Sequence, residues 1–189
     1  MPSTIDELLA QLARFVLATC AVLSISGVTC GPAGPPVPPE PERCFGVTMR
    51  DPDAGASLDG SPPRVVTLGT GEGATFSPWS AGATATVITG FQGGAMILPT
   101  VRVTARPTEG DTLCLHIELR NALSDGSEVL PGVSADFIFV RVGDVFEAAN
   151  LFDQLGSSGA AFRGKTLMLV ADVNGVTFTA TATMSLVLG

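Results

Sequence analysis

Hydrophobic and polar residues alternate with a period of two along most of the chain. Between residues 113 and 119, leucine and isoleucine occupy the odd positions, and polar residues such as Cys114 and His116 stand between them. This alternation predicts a half-buried β-strand, because successive side chains of a strand point to opposite faces. Residues 101–106 alternate in the same way, and residues 137–142 form a nearly continuous apolar run that is typical of a central strand.

Residues 167–183 carry the strongest local signal of the chain. Apolar residues alternate with polar ones on both sides of Asn174-Gly175. An Asn-Gly pair between two alternating runs favours a β-hairpin, because a type I′ turn needs positive φ at both central residues. The sequence therefore predicts an antiparallel hairpin in this segment.

Four further segments have weaker strand patterns: 45–49, 64–68, 83–88 and 95–98. Residues 144–155 have a helical pattern instead, since Asp144 could cap a helix with Glu147 three residues later. We therefore predict an all-β domain over residues 44–189. Its expected architecture is an antiparallel two-sheet immunoglobulin-like sandwich of about seven to nine strands, with one short helix or helical turn near 144–155.

The first part of the chain has the pattern of a secretory signal peptide. Arg14 is followed by an uncharged, largely apolar stretch over residues 15–28, after which small residues and Cys30 come next. A cation, a short apolar run and small residues predict export, with residues 1–29 as the signal peptide. A short buried helix of the folded domain is the alternative, but the proline-rich segment that follows would separate such a helix from the core.

The residues around Cys30 resemble the lipobox of bacterial lipoproteins, in which the cysteine becomes the lipidated first residue of the mature chain. Gly27, Val28 and Thr29 precede Cys30, and Cys20 is a rival acceptor with similar flanking residues. The resemblance implies an outer-membrane lipoprotein on the periplasmic or cell-surface face. Ordinary cleavage and free secretion are the alternative.

Residues 31–43 contain six prolines. Proline favours the extended polyproline II conformation, so residues 30–43 are predicted to form a lipid-anchored, semi-rigid stem. Such a stem would hold the domain off a membrane surface. The expected first partner is therefore the membrane itself, through the lipid anchor.

Cys44 and Cys114 remain once Cys20 is removed and Cys30 is lipidated. Two cysteines in an exported protein are most simply a disulfide. The alternation of neighbouring residues turns both side chains away from the core, so we predict a bond on the outer face of one sheet that joins neighbouring strands. Two free thiols are the alternative. A metal site on Cys114 and His116 would need two more soft ligands, and we expect none.

Charge and side-chain chemistry narrow the function further. The chain has 18 acidic and 10 basic residues and a net charge of −8, which disfavours nucleic acid, because phosphate binding needs clustered Lys and Arg. His116 is the only histidine, and tyrosine is absent. Any Ser-His-Asp arrangement would use His116, which the alternation places on an outward strand face and not in a loop-lined pocket. We expect a non-enzymatic protein with no catalytic residue and no cofactor.

Asp51, Asp53 and Asp59 suggest a calcium loop at first sight. Pro52 interrupts the spacing, and the position that should carry a bidentate acid is Pro62. We interpret the segment as a polar surface loop, with a Ca²⁺ site as the alternative. An enzyme that used Asp51 and Asp53 would lack a defined geometry, because both acids lie in one loop.

Two glycine-rich loops carry the candidate binding residues. Residues 69–80 and 90–94 are expected at one end of the sandwich, where binding residues usually lie. Their aromatic and amide side chains, Trp79, Phe91 and Gln92, form the candidate binding loop.

Glycines recur between residues 64 and 106 in two short motifs with aromatic, proline and glycine positions between them: Gly69-Thr70-Gly71-Glu72, then Phe76, Pro78 and Gly82, then Gly90-x-Gln92-Gly93-Gly94. This pattern resembles a family of uncharacterised exported or lipid-anchored proteins of Gram-negative bacteria. The resemblance implies export and an immunoglobulin-like fold, and it implies no reaction. In that family an aromatic residue or His usually follows Gln-Gly-Gly, whereas this chain has Ala95 and Met96.

These observations predict a non-enzymatic envelope lipoprotein whose domain has a surface-interaction or structural role, with a protein or a glycan as ligand. The alternative is a carbohydrate-binding module of the envelope. Sugars stack on exposed Trp and Tyr side chains, so an exposed Trp79 would favour this alternative and a buried Trp79 would exclude it.

Overall fold

The computed structural model describes residues 37–45, 62–90, 93–156 and 161–189. They belong to one compact unit, Val37–Gly189. Within these ranges the helical residues are a single 3-10 turn at Gly73–Thr75 and residue 161. No helix in the same ranges has the length and apolar character needed to span a membrane. The all-β prediction is confirmed.

Twelve strands form the fold of the described residues. In chain order they are β1 (Val66–Thr70), β2 (Ser77–Pro78), β3 (Ala83–Ala85), β4 (Ile88–Thr89), β5 (Ala95–Ile97), β6 (Thr100–Thr104), β7 (Thr112–Leu123), β8 (Val129–Val142), β9 (Val145–Ala148), β10 (Asp153–Gly156), β11 (Thr166–Asn174) and β12 (Thr179–Leu188). β1, β3 with β4, and β5 correspond to three of the weaker predicted strands. The fourth, at 45–49, lies almost wholly outside the described residues.

The strands pair into one mixed sheet that curls into a half-barrel. Its path runs β2-β1-β6-β9-β8-β7-β11-β12-β3, and every neighbouring pair is antiparallel except β12 with β3. β4, β5 and β10 lie off this path, and β10 joins it by pairing with β8. The sheet is not a clear two-sheet antiparallel sandwich, so the predicted architecture is confirmed only as an all-β fold. Alternation identifies the buried side chains, but a curled sheet and two stacked sheets bury the same alternate residues.

The predicted helix at 144–155 is wrong. This segment forms β9 and β10, with a bend at Asn150, whose φ is +59°. Phe146 lies opposite Val103 of β6 and Arg141 of β8, and its side chain is fully buried. Pairing along both edges of β9 overrides the weak capping signal, because strand formation depends on neighbours that are distant in the sequence.

β11 and β12 form the predicted hairpin. Their pairing extends from Thr166 opposite Val187 to Asn174 opposite Thr179. Residues 175–178 therefore connect the two strands, and the connection is longer than the two-residue turn that Asn-Gly favours. The hairpin is confirmed, and its turn differs from the predicted one.

The core lies on one face of the long strands. From Leu115 onward, the odd-numbered apolar residues of β7 and those of β11 are at most 2% exposed: Leu115, Ile117, Leu119, Leu123, Leu167, Leu169, Ala171 and Val173. They pack in the same cluster as Phe137, Phe139 and Phe146. The even-numbered residues of β7 point to the opposite, polar side, as the alternation predicts.

A glycine bulge lets β8 pair with a third strand. The β7–β8 register shifts between Leu119 and Asn121, and Gly132, which lies in the shift, pairs with Gln154 of β10. Gly132 has a φ of +66°, and a Cβ atom at this position would overlap the carbonyl oxygen of Leu119. Only glycine fits at this position. The bulge interrupts the β7–β8 pairing and lets β8 pair with β10 instead.

Candidate functional site

Cys44 and Cys114 form a disulfide bond, as the sequence predicts. The sulfur atoms of Cys44 and Cys114 are 2.01 Å apart, with their Cα atoms 6.0 Å apart. Cys114 is half-buried in β7 between inward-facing Leu113 and Leu115, which places it on the polar side. Cys44 lies just outside any strand, next to the isolated bridge between Arg43 and β8. The predicted disulfide is confirmed. It does not join neighbouring strands as predicted, because Cys44 lies outside any strand and its neighbours pair with β8, whereas Cys114 belongs to β7.

The residues before Cys44 lie along β8. The amide of Cys44 donates to the carbonyl oxygen of Asp136 at 3.2 Å, and the amide of Ile138 donates to that of Glu42 at 2.8 Å. The Arg43 guanidinium lies 5.4 Å from the centre of the Phe137 ring. The end of the predicted stem is therefore held against the sheet by hydrogen bonds as well as by the disulfide.

His116 lies in a hydrogen-bonded row with one serine and one aspartate of β8. Its Nδ1 atom is 2.7 Å from Oδ1 of Asp136, directly opposite across the β7–β8 pair. Its Nε2 atom is 3.3 Å from Oγ of Ser134, which is exposed. The His116 side chain is only 12% exposed. Ser134, His116 and Asp136 together are called the Ser134 cluster below.

Two members of this cluster are not among the predicted site residues. The sequence pattern predicts the outward strand face of His116, but it singles out neither Ser134 nor Asp136. Both alternate with the inward-facing residues 135 and 137, so their shared face could be read from the sequence. Their position opposite His116 depends on the strand register, which the sequence pattern alone does not specify.

Ion pairs extend the polar side of the sheet beyond the Ser134 cluster. Arg120 pairs with Asp172 of β11 and lies 3.8 Å from Glu118. The hydroxyl of Thr181 in β12 donates to Asp172 at 2.6 Å. The Arg120 side chain is exposed and that of Asp172 is partly covered, so these surface ion pairs contribute little to stability. They show that β7, β11 and β12 present hydrogen-bonding side chains to solvent on one continuous face.

A second polar pair is buried in the core. Nδ2 of Asn121 donates to Oδ1 of Asp153 at 2.5 Å, and the two residues are 1% and 0% exposed. The remaining oxygens, Oδ1 of Asn121 and Oδ2 of Asp153, have no hydrogen-bond partner among the described residues. Burial raises the pKa of Asp153 to about 7, although the hydrogen bond from Asn121 partly opposes this rise. This pair is not among the predicted sites, because the pattern at 144–155 predicts a helix that would contain Asp153.

Trp79 is not an exposed platform. Its side chain is half-buried against the core, and its amide donates to the carbonyl oxygen of Leu68 at 2.9 Å. It lines a cavity of about 110 Å³ together with Ala85 and Ile97. Phe91 and Gln92 lie outside the described residues, so their role in a binding loop stays a prediction.

The loop between β1 and β2 is held in place by a buried carboxylate. Glu147 accepts hydrogen bonds from the amide of Gly73 at 2.8 Å and from Nε of Arg102 at 2.7 Å. Arg102 also donates to the carbonyl oxygen of Gly73 and lies 3.9 Å from the centre of the Phe76 ring. This loop is therefore fixed to β6 and β9.

A groove of about 440 Å³ lies between the stem residues and strands β8 and β9. Four carboxylates line it, with prolines and aliphatic side chains between them: Glu40, Glu42, Glu72 and Glu147. Glu147 already pairs with Arg102, and Glu40 lies 3.3 Å from Arg43. Among the described residues, no group of three or more His, Cys, Asp or Glu side chains is arranged to hold a metal ion.

Several predicted sites lie outside the described residues. They are the signal peptide at 1–29, the lipidation residue Cys30 and the aspartates of the candidate calcium loop, Asp51, Asp53 and Asp59. Comparison of the chain with protein-family models, with curated proteins and with solved structures finds no match. The resemblance to an exported envelope family therefore stays a prediction.

Proposed function

We propose that the chain is an exported, lipid-anchored envelope protein. Residues 30–43 serve as the stem, and the all-β unit has a surface-interaction or structural role without catalysis. The Cys44–Cys114 disulfide carries this proposal. Structural disulfides persist in the oxidising compartments outside the cytoplasm and are rare inside it, so the bond supports export.

The position of the disulfide suits a tethered domain. Cys44 directly follows the proposed stem, and Glu42 and Cys44 both hydrogen-bond with β8. Tension on the stem would enter β7 through a covalent bond and β8 through backbone hydrogen bonds. The chain between the two cysteines, 70 residues long by sequence separation, would be shielded from that tension. A stem that carries load benefits from such an attachment.

The face that a tethered domain would offer to a partner is the polar side of β7, β11 and β12. Its side chains combine carboxylates, an arginine and hydroxyls, which suit a protein or glycan ligand bound by hydrogen bonds. A dedicated carbohydrate-binding module is a weaker proposal. The half-buried Trp79 packs against the core, and the chain has no tyrosine to supply a second stacking surface.

The test is the intact mass of the full chain purified from its native envelope. We expect a mature chain that begins at Cys30 and carries a diacyl or triacyl group. Two matched variants separate the candidate acceptors: Cys30→Ala should abolish lipidation and release the protein from the membrane fraction, whereas Cys20→Ala should leave both unchanged.

A lipid-free mature chain that begins elsewhere would rule out the anchor. Peptide mapping without reductant on the same sample tests the supporting observation. A free thiol at Cys44 or Cys114 in the native envelope would remove the argument for an oxidising compartment. The two measurements are independent, so either part of the proposal can fail alone.

A further inference from the structure

The Ser134 cluster has the hydrogen-bond order of an activated nucleophile. We propose that Ser134 is activated by His116 and Asp136 and takes up an acyl group from a small activated ester. This inference goes beyond the tethering role, and it does not depend on the lipid anchor. It names a covalent modification site on the polar side of the sheet.

The hydrogen bonds define the proton positions in the cluster. The Asp136 carboxylate can only accept, so the Nδ1 atom of His116 carries the proton in their 2.7 Å contact. In the neutral ring, Nε2 then keeps its lone pair and accepts the hydroxyl proton of Ser134 across 3.3 Å. This is the tautomer in which an imidazole acts as a general base toward a serine.

The strands that carry the cluster are held by buried neighbours. His116 stands between Leu115 and Ile117, and Asp136 precedes Phe137; these three apolar side chains are at most 2% exposed. Ser134 and Asp136 are two residues apart on β8, so they share a face, and His116 lies opposite Asp136. Side chains on paired strands are positioned more narrowly than side chains on loops.

Ser134 is exposed, whereas His116 is mostly covered. A reagent can therefore reach the hydroxyl while the base behind it is partly shielded from water. Ser134 lies on an open strand face, which does not select a substrate by its shape. The substrate class is therefore limited by reactivity alone: it is a small carboxylic ester with a good leaving group. Asp136 contacts the imidazole and is a positioning residue in this scheme.

The reaction balances without a cofactor. Oγ of Ser134 attacks the ester carbonyl carbon as its proton passes to Nε2 of His116. The new Oγ–C bond forms and the bond to the leaving oxygen breaks, and that oxygen takes the proton from Nε2. The products are an acyl ester on Ser134 and a free alcohol, with His116 neutral again.

A purely structural role would predict a different reactivity. Cross-strand hydrogen bonds stabilise a sheet without making any member nucleophilic. The chain contains a suitable internal control, since the exposed Ser127 hydrogen-bonds with Asp125 but has no imidazole among its partners in the structure. A structural cluster would leave Ser134 as unreactive as Ser127.

The test treats the full chain with a fluorophosphonate and quantifies each labelled serine by peptide mass spectrometry. Phosphonylation forms an Oγ–P bond and expels fluoride, with the hydroxyl proton again passing to His116. General-base assistance is worth about 10²-fold or more. We therefore expect Ser134 to be labelled about 100 times faster than Ser127. In His116→Gln, the labelling rate of Ser134 should fall to that of Ser127. In Asp136→Asn, the labelling rate of Ser134 should fall about tenfold or more.

Thermal unfolding of each variant checks that the fold is retained. Equal labelling of Ser134 and Ser127, or an unchanged rate in a folded His116→Gln variant, would overturn the proposal. If His116→Gln fails to fold, the proposal is tested by two other results: the labelling rate of Ser134 in Asp136→Asn, and the ratio of the labelling rates of Ser134 and Ser127 in the wild type.

A second arm uses p-nitrophenyl acetate, from which we expect about one equivalent of nitrophenolate and an acetylated Ser134. Repeated turnover that requires Ser134 would support the nucleophile and overturn the non-enzymatic part of the proposed function.

Discussion

Replacing Asp153 with asparagine should stabilise the protein at pH 8 and change little at pH 4. In the native core, Asn121 donates to one carboxyl oxygen of Asp153, which leaves one oxygen of each residue without a partner. A single proton on Oδ2 of Asp153 would let it donate to Oδ1 of Asn121 and satisfy both oxygens. An amide at position 153 supplies that donor at every pH.

The magnitude follows from the pKa of the buried carboxyl. Burial raises the pKa of Asp153 from 3.8 to about 7. At 1.36 kcal/mol for each pH unit, this rise corresponds to about 4 kcal/mol. The unfolded chain loses the proton near pH 4, and the folded protein keeps it until pH 7. The free energy of unfolding therefore decreases as the pH rises through this window, and it is constant with respect to Asp153 above it.

The assay is urea unfolding of the oxidised full chain at unit pH intervals from 4 to 9. We expect the difference in unfolding free energy between Asp153→Asn and the wild type to grow by about 4 kcal/mol between pH 4 and pH 8. Other titrating groups contribute equally to both proteins and cancel in this difference. Asp125→Asn is the matched control, because Asp125 is fully exposed and its pKa is lowered by hydrogen bonds from Ser127.

Parallel stability curves for Asp153→Asn and the wild type would refute the reasoning. They would mean that the carboxyl is ionised in the folded core, with water or a rearranged neighbour as its partner. A control variant that reproduced the pH-dependent gain would refute it equally, since the effect would then not belong to the buried pair.

Three further predictions concern stability and use the same unfolding assay. Reducing the disulfide should cost about 4 kcal/mol, because it frees a loop of 70 residues, and an unchanged midpoint would contradict this. The buried guanidinium of Arg64 forms an ion pair with the partly covered carboxylate of Glu109. Arg64→Met should therefore cost about 2–3 kcal/mol, because it leaves Glu109 without this partner. Glu40→Gln, at the exposed pair with Arg43, should cost less than about 1 kcal/mol. Gly132→Ala should cost at least about 2 kcal/mol more than Gly126→Ala: both have positive φ, but only the first Cβ meets a carbonyl oxygen. Equal losses would dismiss the steric argument.

Much of the secondary structure could be predicted from local pattern. Alternation in β7 and β11 correctly assigned every second residue to the core, and the Asn174-Gly175 signal found the hairpin. The disulfide followed from compartment and cysteine count. These features depend on residues that are near in sequence or few in number, so a single sequence contains the information.

The sheet architecture and the polar clusters depend on register instead. Whether alternate residues cover one curled sheet or two stacked sheets is decided by pairings such as β12 with β3, which no local pattern records. Ser134 meets His116 only because Ala135 lies opposite Ile117. Asp153 enters the core because the Gly132 bulge admits β10. The predicted helix at 144–155 failed for the same reason, since β9 has partners on both edges.

The parallel contact between β3 and β12 has a consequence for folding kinetics. Residues 83–85 pair with residues 186–188, about 100 positions later in the chain. Until these two segments meet, the edge of β12 has no strand partner on this side. Strand pairing between such distant segments slows folding to about milliseconds to seconds. During this time the unpaired strand edges can pair with other molecules. The Cys44–Cys114 disulfide could thus form before the sheet is complete. The order of disulfide formation and β3–β12 pairing would then determine the folding yield.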